Sequence, residues 1–430
     1  MPTPRNPETS CNQIISINIY SWTFFRLLIL KTSYQGSVLL ILIVLSSFFP
    51  TFFLDGKSYE ALAQPQPISS PTEEELLPST VLLNQVEEDM PDKSIVIGII
   101  NPNGTQVYSY GNISKENSTN VNGDSIFDIG SITKTFTTTL LVDMVKRGLI
   151  NLDDPIEKYL PASVKVPTYN GKMITIENLA THSSGLPAFP AGWNRNQSYT
   201  NEQVYNFLSN ITLQREPGVF ANYSDFGMGL LGHALATKSG ISYENLVKDR
   251  ILNVLGMNST GIAMNSTGVT YPDIVKSRLA KGHIGGEEVA PEFIPEALRP
   301  AGALYSTAND LMKYLSANLG LIKTKINDII EETHLIRSEY QQPPATKATA
   351  ELFSSNKSLS ASYVGLGWFI DTNLAAEVIQ HSGAIDGYNS FIGFNPDKQV
   401  GFVWLCSCEG ADMPMEVRES LAAFISATLT

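Results

Sequence analysis

Ser131 and Lys134 stand three residues apart in the run Phe127-Asp128-Ile129-Gly130-Ser131-Ile132-Thr133-Lys134, a spacing that sets both side chains on one face of a helix. A serine hydroxyl is a weak nucleophile at neutral pH, and an amine within reach that takes its proton or stabilises its alkoxide supplies the missing activation. Leu140, Leu141, Met144 and Val145 continue an apolar helical pattern behind the pair, so an amphipathic helix starting near Ser131 is expected to fix it against a core. Gly130 lets the chain turn tightly into that helix. The same spacing recurs at Ser354 and Lys357 in a polar, Ser-rich stretch without an apolar helix behind it, which is read as a loop. Because a surface serine and lysine on a core helix would show the same letters, the pair needs partners elsewhere in the chain.

Two partners are available. Tyr223 lies in Pro217-Gly218-Val219-Phe220-Ala221-Asn222-Tyr223-Ser224-Asp225, at an expected junction between a loop and the apolar helix from Met228 to Ala236. Its phenol works as a base only where nearby cations lower its pKa. His381-Ser382-Gly383 falls at the end of an expected strand, with small residues that let a substrate backbone lie alongside. The remaining histidines, His182, His233, His283 and His334, are scattered and no His-Glu-x-x-His pattern occurs, so neither a metal nor another cofactor is expected. His182, in a turn punctuated by Gly and Pro, is assigned a structural loop role.

In order along the chain these elements resemble the serine β-lactamase-like, penicillin-binding family that contains class C β-lactamases, DD-carboxypeptidases, D-aminopeptidases and related esterases. Supporting phrases run through the same stretch: Thr181-His182-Ser183-Ser184-Gly185-Leu186-Pro187, Leu255-Gly256-Met257, and Pro300-Ala301-Gly302-Ala303-Leu304-Tyr305-Ser306-Thr307. The resemblance covers about residues 91–430. It implies a nucleophilic Ser131, a Lys134 that lowers the serine pKa and shuttles protons, and a Tyr223 that acts as general base and then protonates the leaving group. The backbone N–H groups of Ser131 and Ala384 would form the oxyanion hole, and Asp225, His381, Ser382 and Gly383 would contact substrate. Lys134 and His381 would supply the positive charge that a tyrosinate needs. Asp225 stands where the β-lactamases carry an asparagine, and His381 where they carry a lysine for the substrate carboxylate. Both departures lean away from a β-lactam and toward an ester or D-amino-acid peptide. The reading is a serine hydrolase working through an acyl-enzyme; the alternatives are a DD-carboxypeptidase or β-lactamase, or a catalytically silent, membrane-tethered ligand-binding relative, against which the intact Ser131, Lys134 and Tyr223 speak.

The elements that must position these residues are less uniform along the chain. With 430 residues, 43% hydrophobic and 17% charged, the composition is that of a globular protein with a sizeable core. A net charge of -13 without any Lys/Arg block argues against nucleic acid as a partner, since that binding relies on clustered cations. Residues 1–54 form a tail and an apolar segment: Thr32 to Leu54 carries no charge, and Arg5, Arg26 and Lys31 precede it, so residues about 37–54 are expected to act as a signal or membrane anchor with the rest exported. Cleavage near Ala63 or a retained anchor both fit. Nine Asn-x-Ser/Thr sequons agree with export. Cys11, Cys406 and Cys408 are read as free thiols, a metal role being disfavoured by the lack of a second ligand pair. Residues 55–90, rich in Pro, Ser, Gln and Glu, read as a linker. Beyond them a hairpin is expected over Ile95–Ile100 and Gln106–Tyr110, three strands over Glu377–Gln380, Ser390–Phe394 and Val400–Cys406, and a helix over 416–427. Strands at both ends around a helical middle predict an α+β fold: one antiparallel sheet built from the two chain ends, flanked by helices, with a mainly helical insertion. Pocket walls are expected from loops 187–216 and 284–299.

Overall fold

The computed structural model describes residues 16–22, 25–34, 37–44, 93–191, 193, 199–263, 268–341, 362–372 and 377–408. It divides into two compact units, Met1–Ser69 and Ser70–Thr430. In the first unit Ser16–Trp22, Phe25–Tyr34 and Ser37–Val44 pair as an antiparallel sheet in that order. The described part of the apolar segment is a strand, and Val, Ile and Leu side chains suit strand or helix. Among the described residues no helix is long and apolar enough to cross a membrane. Residues 45–54, the linker and Cys11 lie outside the described residues, as do the Ser354-Lys357 pair and the expected helix over 416–427.

In the second unit eight of the described strands make one antiparallel sheet. Ile95–Asn101 and Gly104–Tyr110 form the hairpin, closing at Asn101 opposite Gly104. Val400–Cys406 pairs on the other side of Ile95–Asn101, with Val403 opposite Gly98, and is followed by Tyr388–Asn395 and Val378–Ile385. Both chain ends therefore share one sheet, as the distribution of strand signals predicts. Its central strands are buried along nearly their whole length. The helix Ala308–Asn318 packs on one face, and the two strand glycines explain how close it comes: a Cβ on Gly98 would sit 2.9 Å from Met312 Sδ, and one on Gly401 would sit 3.1 Å from Leu319 Cδ1.

The Thr133–Lys146 helix departs from the amphipathic expectation, because Thr133 through Met144 are all buried. A helix of threonines can be buried on every side only if each hydroxyl finds an acceptor. Thr135 and Thr139 bond back to the Ile132 and Thr135 carbonyls, Thr138 reaches the Leu366 carbonyl, and Thr137 joins the Pro300 carbonyl and the Tyr243 hydroxyl. Phe136 stacks on Tyr314 at 4.2 Å between ring centroids. The Thr133–Lys146 helix is thus the hub of the core, with Asn327–Thr333 on one flank and Asp225–Ser239 on another.

The cysteines correct the reading of free thiols. Cys406 and Cys408 form a disulfide, with Cα atoms 5.3 Å apart. Residues two apart in extended chain point to the same side, and the chain closes up beyond the strand end at Cys406, which brings the two thiols together.

Candidate active site

Ser131 sits in a single tight turn, Gly130–Ile132, that leads into the Thr133–Lys146 helix. Gly130 adopts φ +47°, and a Cβ there would come 3.0 Å from both N and O of Ala384. A glycine is thus required on conformational and steric grounds. The strand Val378–Ile385 carries His381, Ser382, Gly383 and Ala384 inside it rather than at its end, and brings them against the turn. A Cβ on Gly383 would overlap the Ile129 carbonyl oxygen, while Ser390 Oγ, on the next strand, donates to that carbonyl at 2.9 Å. Ser131 and Ala384 are thereby held side by side.

Lys134 lies beneath Ser131 and is fully buried. Its Nζ donates to Ser131 Oγ at 2.8 Å and to the Ala301 carbonyl at 2.7 Å, and pairs with Asp225 Oδ1 at 2.6 Å. The Pro300-to-Thr307 phrase thus contributes a backbone oxygen to the site. Burial lowers the Lys134 pKa, and the Asp225 carboxylate pushes it back up. Tyr223 shares a hydrogen bond with Ser131, and its ring lies 4.7 Å from Lys134 Nζ. Ser224, next in sequence, caps the Asp225–Ser239 helix by accepting from the Gly227 amide at 2.9 Å, which leaves Tyr223 at the junction expected for it and Asp225 in the first helical turn.

Three residues behave differently from expectation. Burial raises the Tyr223 pKa well above that of an ordinary phenol, and the Asp225 charge adds to this, so Tyr223 rests as a phenol rather than a tyrosinate. His381 is pushed down to about 3 by burial and by Lys134; a neutral ring supplies no charge to Tyr223 and is not an anion receptor. Its Nδ1 bonds the Ser382 carbonyl at 2.7 Å, leaving Nε2 buried without a partner among the described residues. Asp225, expected on the substrate, instead spends its carboxylate on Lys134 while still lining the cleft.

His182 is the residue that sequence reasoning placed too far away. Its ring packs on Tyr223 at 4.6 Å between centroids, and its Nδ1 accepts from the Ser224 amide at 3.2 Å. Its backbone takes φ +57°, a conformation uncommon outside glycine and asparagine. Its carbonyl accepts from the Asn222 amide at 2.8 Å. The Thr181-to-Pro187 turn is therefore the brace on which Tyr223 rests. The available signal was the histidine's place within a phrase shared with the family.

Above these groups opens a cleft of about 930 Å³, counting the part open to solvent. Ser131, Tyr223, Asp225, His381, Ser382 and Ala384 line its floor. Phe189 and Trp193 come from loop 187–216, and Glu292, Ile294 and Leu298 from loop 284–299, so both expected walls are in place. Phe189 and Trp193 stack at 4.3 Å, and Tyr340 and Phe369 also face the cleft.

The model of the Beta-lactamase family matches residues 83–426. The D-alanyl-D-alanine-carboxypeptidase/endopeptidase AmpH of Escherichia coli (strain K12) is 32% identical over 310 residues, spanning 70% of this chain and 76% of that protein. A beta-lactamase of Providencia stuartii is 27% identical over 335 residues, 74% of this chain and 83% of its own. Among solved structures, a beta-lactamase/D-alanine carboxypeptidase from Yersinia pestis, complexed with citrate, superposes with a TM-score of 0.66 at 22% identity over 82% of this chain and 98% of its own. A class C beta lactamase from Rhodobacter sphaeroides gives 0.63 at 23% identity over 81% and 98%. Together with the α+β architecture, these likenesses place the chain in the beta-lactamase family, as a serine hydrolase.

Proposed function

We propose that the protein cleaves an uncharged ester or a D-amino-acid peptide through an acyl-enzyme on Ser131. The observation that carries this is the contact of Ser131 Oγ with Lys134 Nζ at 2.8 Å on the floor of a cleft beside Ala384. Lys134 organises the serine for attack, the N–H groups of Ser131 and Ala384 receive the developing oxyanion, and Tyr223, as a phenol, protonates the leaving atom. Water then clears the acyl group. The neutral, buried His381 supports substrates without a carboxylate at that position, and the aromatic walls suit an apolar acyl or leaving part.

A second reading, removal of a C-terminal D-alanine, draws support from the 32% identity to AmpH. Export is part of both readings. The disulfide between Cys406 and Cys408 supports it, since such bonds persist in oxidising compartments, and so do the sequons. We place the hydrolase domain at 91–430, behind a linker over 55–90 and a signal or anchor within 1–54.

Intact-mass measurement after treatment with a fluorophosphonate, a p-nitrophenyl ester and a penicillin tests the assignment, with Ser131→Ala as control. Adducts on the wild type alone, with turnover abolished and the fold retained in Ser131→Ala, are expected. Rapid ester turnover favours the first reading and a long-lived penicilloyl adduct the second. Residual hydrolysis by Ser131→Ala would sink both.

A further inference from the structure

Resting on the reading of Ser131 as nucleophile, we propose that Asp225 is the terminal acceptor of the Ser131 proton, with Lys134 as the carrier between them. An ammonium group has three hydrogens, and Lys134 Nζ has three acceptors: Ser131 Oγ at 2.8 Å, the Ala301 carbonyl at 2.7 Å and Asp225 Oδ1 at 2.6 Å. An anion at that distance favours the ammonium over the amine, against the burial that lowers the Lys134 pKa. To receive a proton from Ser131, Lys134 must release one. The Ala301 carbonyl cannot keep a proton and Ser131 is the source, so the carboxylate is the acceptor that remains. An asparagine, which the β-lactamases carry here, has no such capacity, and the site differs from theirs in this step.

The step balances without any further reactant. The Ser131 O–H bond breaks as Oγ bonds the substrate carbonyl carbon, whose π pair moves onto oxygen. Lys134 Nζ takes the serine proton and passes one of its own to Asp225 Oδ1. On collapse the leaving atom takes its bond pair and the Tyr223 proton, and the Asp225–Lys134 pair restores the phenol. Net charge in the buried pair is zero before the step, and the charge separated during it lies on the oxyanion and the Lys134 ammonium. Asp225 acts through Lys134, so its signature is in the pH dependence rather than in substrate affinity.

The rate at which a fluorophosphonate modifies Ser131, followed by intact mass from pH 4 to 9, isolates this step, because fluoride leaves without needing a proton. In the wild type the rate is expected to fall only at the acid end of this range. In Asp225→Asn the amine of Lys134 must serve alone, so the acid limb should move to higher pH by roughly one unit or more, since ammonium groups lose their proton above the range in which carboxylates gain one. Asp225→Glu, which retains the carboxylate, should keep the limb near its wild-type position. A limb that moves to lower pH in Asp225→Asn would show that neutral Lys134 is already the base, with Asp225 only raising its pKa, and would overturn the relay alone. An unmoved limb does the same. Failure of the wild type to be modified at all overturns the nucleophile assignment and the relay with it. Should Asp225→Asn not fold, an acid limb in Asp225→Glu displaced well above the wild-type one overturns the relay, and a coincident limb upholds it.

Discussion

Lys134 is held by three oxygens and surrounded by protein, so its environment, more than its identity, decides what it does. Burial pushes its pKa down, and the Asp225 carboxylate at 2.6 Å opposes that. The letters Ser-x-x-Lys, Tyr-x-Asp and His-x-Gly were enough to nominate Ser131, Lys134, Tyr223 and His381. They could not reveal that Asp225 turns toward Lys134 or that His381 is desolvated, because pairing and burial depend on chain segments far apart in sequence. His182 was missed for the same reason: it acts by packing on Tyr223 from another turn. Gly383 offers a test at this scale. A methyl group there would collide with the Ile129 carbonyl, pushing the strand away from the Gly130 turn and spreading the amides of Ser131 and Ala384. Gly383→Ala should lower kcat for a p-nitrophenyl ester by about 10²-fold or more, the size of effect seen when an oxyanion donor is lost. Unchanged kcat would show that the two amides do not act together.

The Thr133–Lys146 helix was legible as a helix and illegible as a core hub. An apolar stripe with threonines on the other face reads as amphipathic, and only the partner oxygens of those threonines explain burial on all sides. Thr137 makes the clearest case, since it meets both the Pro300 carbonyl and the Tyr243 hydroxyl at 2.6 Å. Thr137→Val keeps the shape and strands both groups in the interior. It should cost about 1–3 kcal/mol in urea unfolding, and a loss well under this range would mean that the hydroxyl is not needed to bury the helix. The strand carrying Cys406 gives the opposite lesson: the two-residue spacing of the cysteines already placed both thiols on one side, and that alternation was the signal for their bond.

Several buried ionisable groups set how the hydrolase domain responds to acid. Burial holds His334 and His381 down to about 3, and His182 is lowered in the same direction. In the unfolded chain each titrates near 6.5, so below that pH the unfolded state binds protons that the folded state refuses, and stability falls as pH drops. Asp128, buried against Tyr271, works in the opposite sense. Its pKa is raised to about 7, so its contribution is complete below the ordinary carboxylate value and is lost as pH rises through 7. The histidines outnumber it, and the thermal midpoint should fall between pH 7 and pH 4. Asp128→Asn, which removes the opposing contribution, should make the fall steeper. A midpoint that is flat or rising toward acid would contradict this.

The sheet that joins the two chain ends also fixes when the protein can begin to work. Ser390 Oγ bonds the Ile129 carbonyl across 261 residues of sequence, and Ala384 meets the Gly130 turn across a similar span. At a synthesis rate of about 5–20 residues per second, the segment bearing Ser131 waits roughly 10–50 s for the strand that packs against its turn. A nascent chain therefore carries Ser131 early and lacks the strand beside it until late in synthesis, so on the proposed mechanism the hydrolase stays silent while it is still on the ribosome.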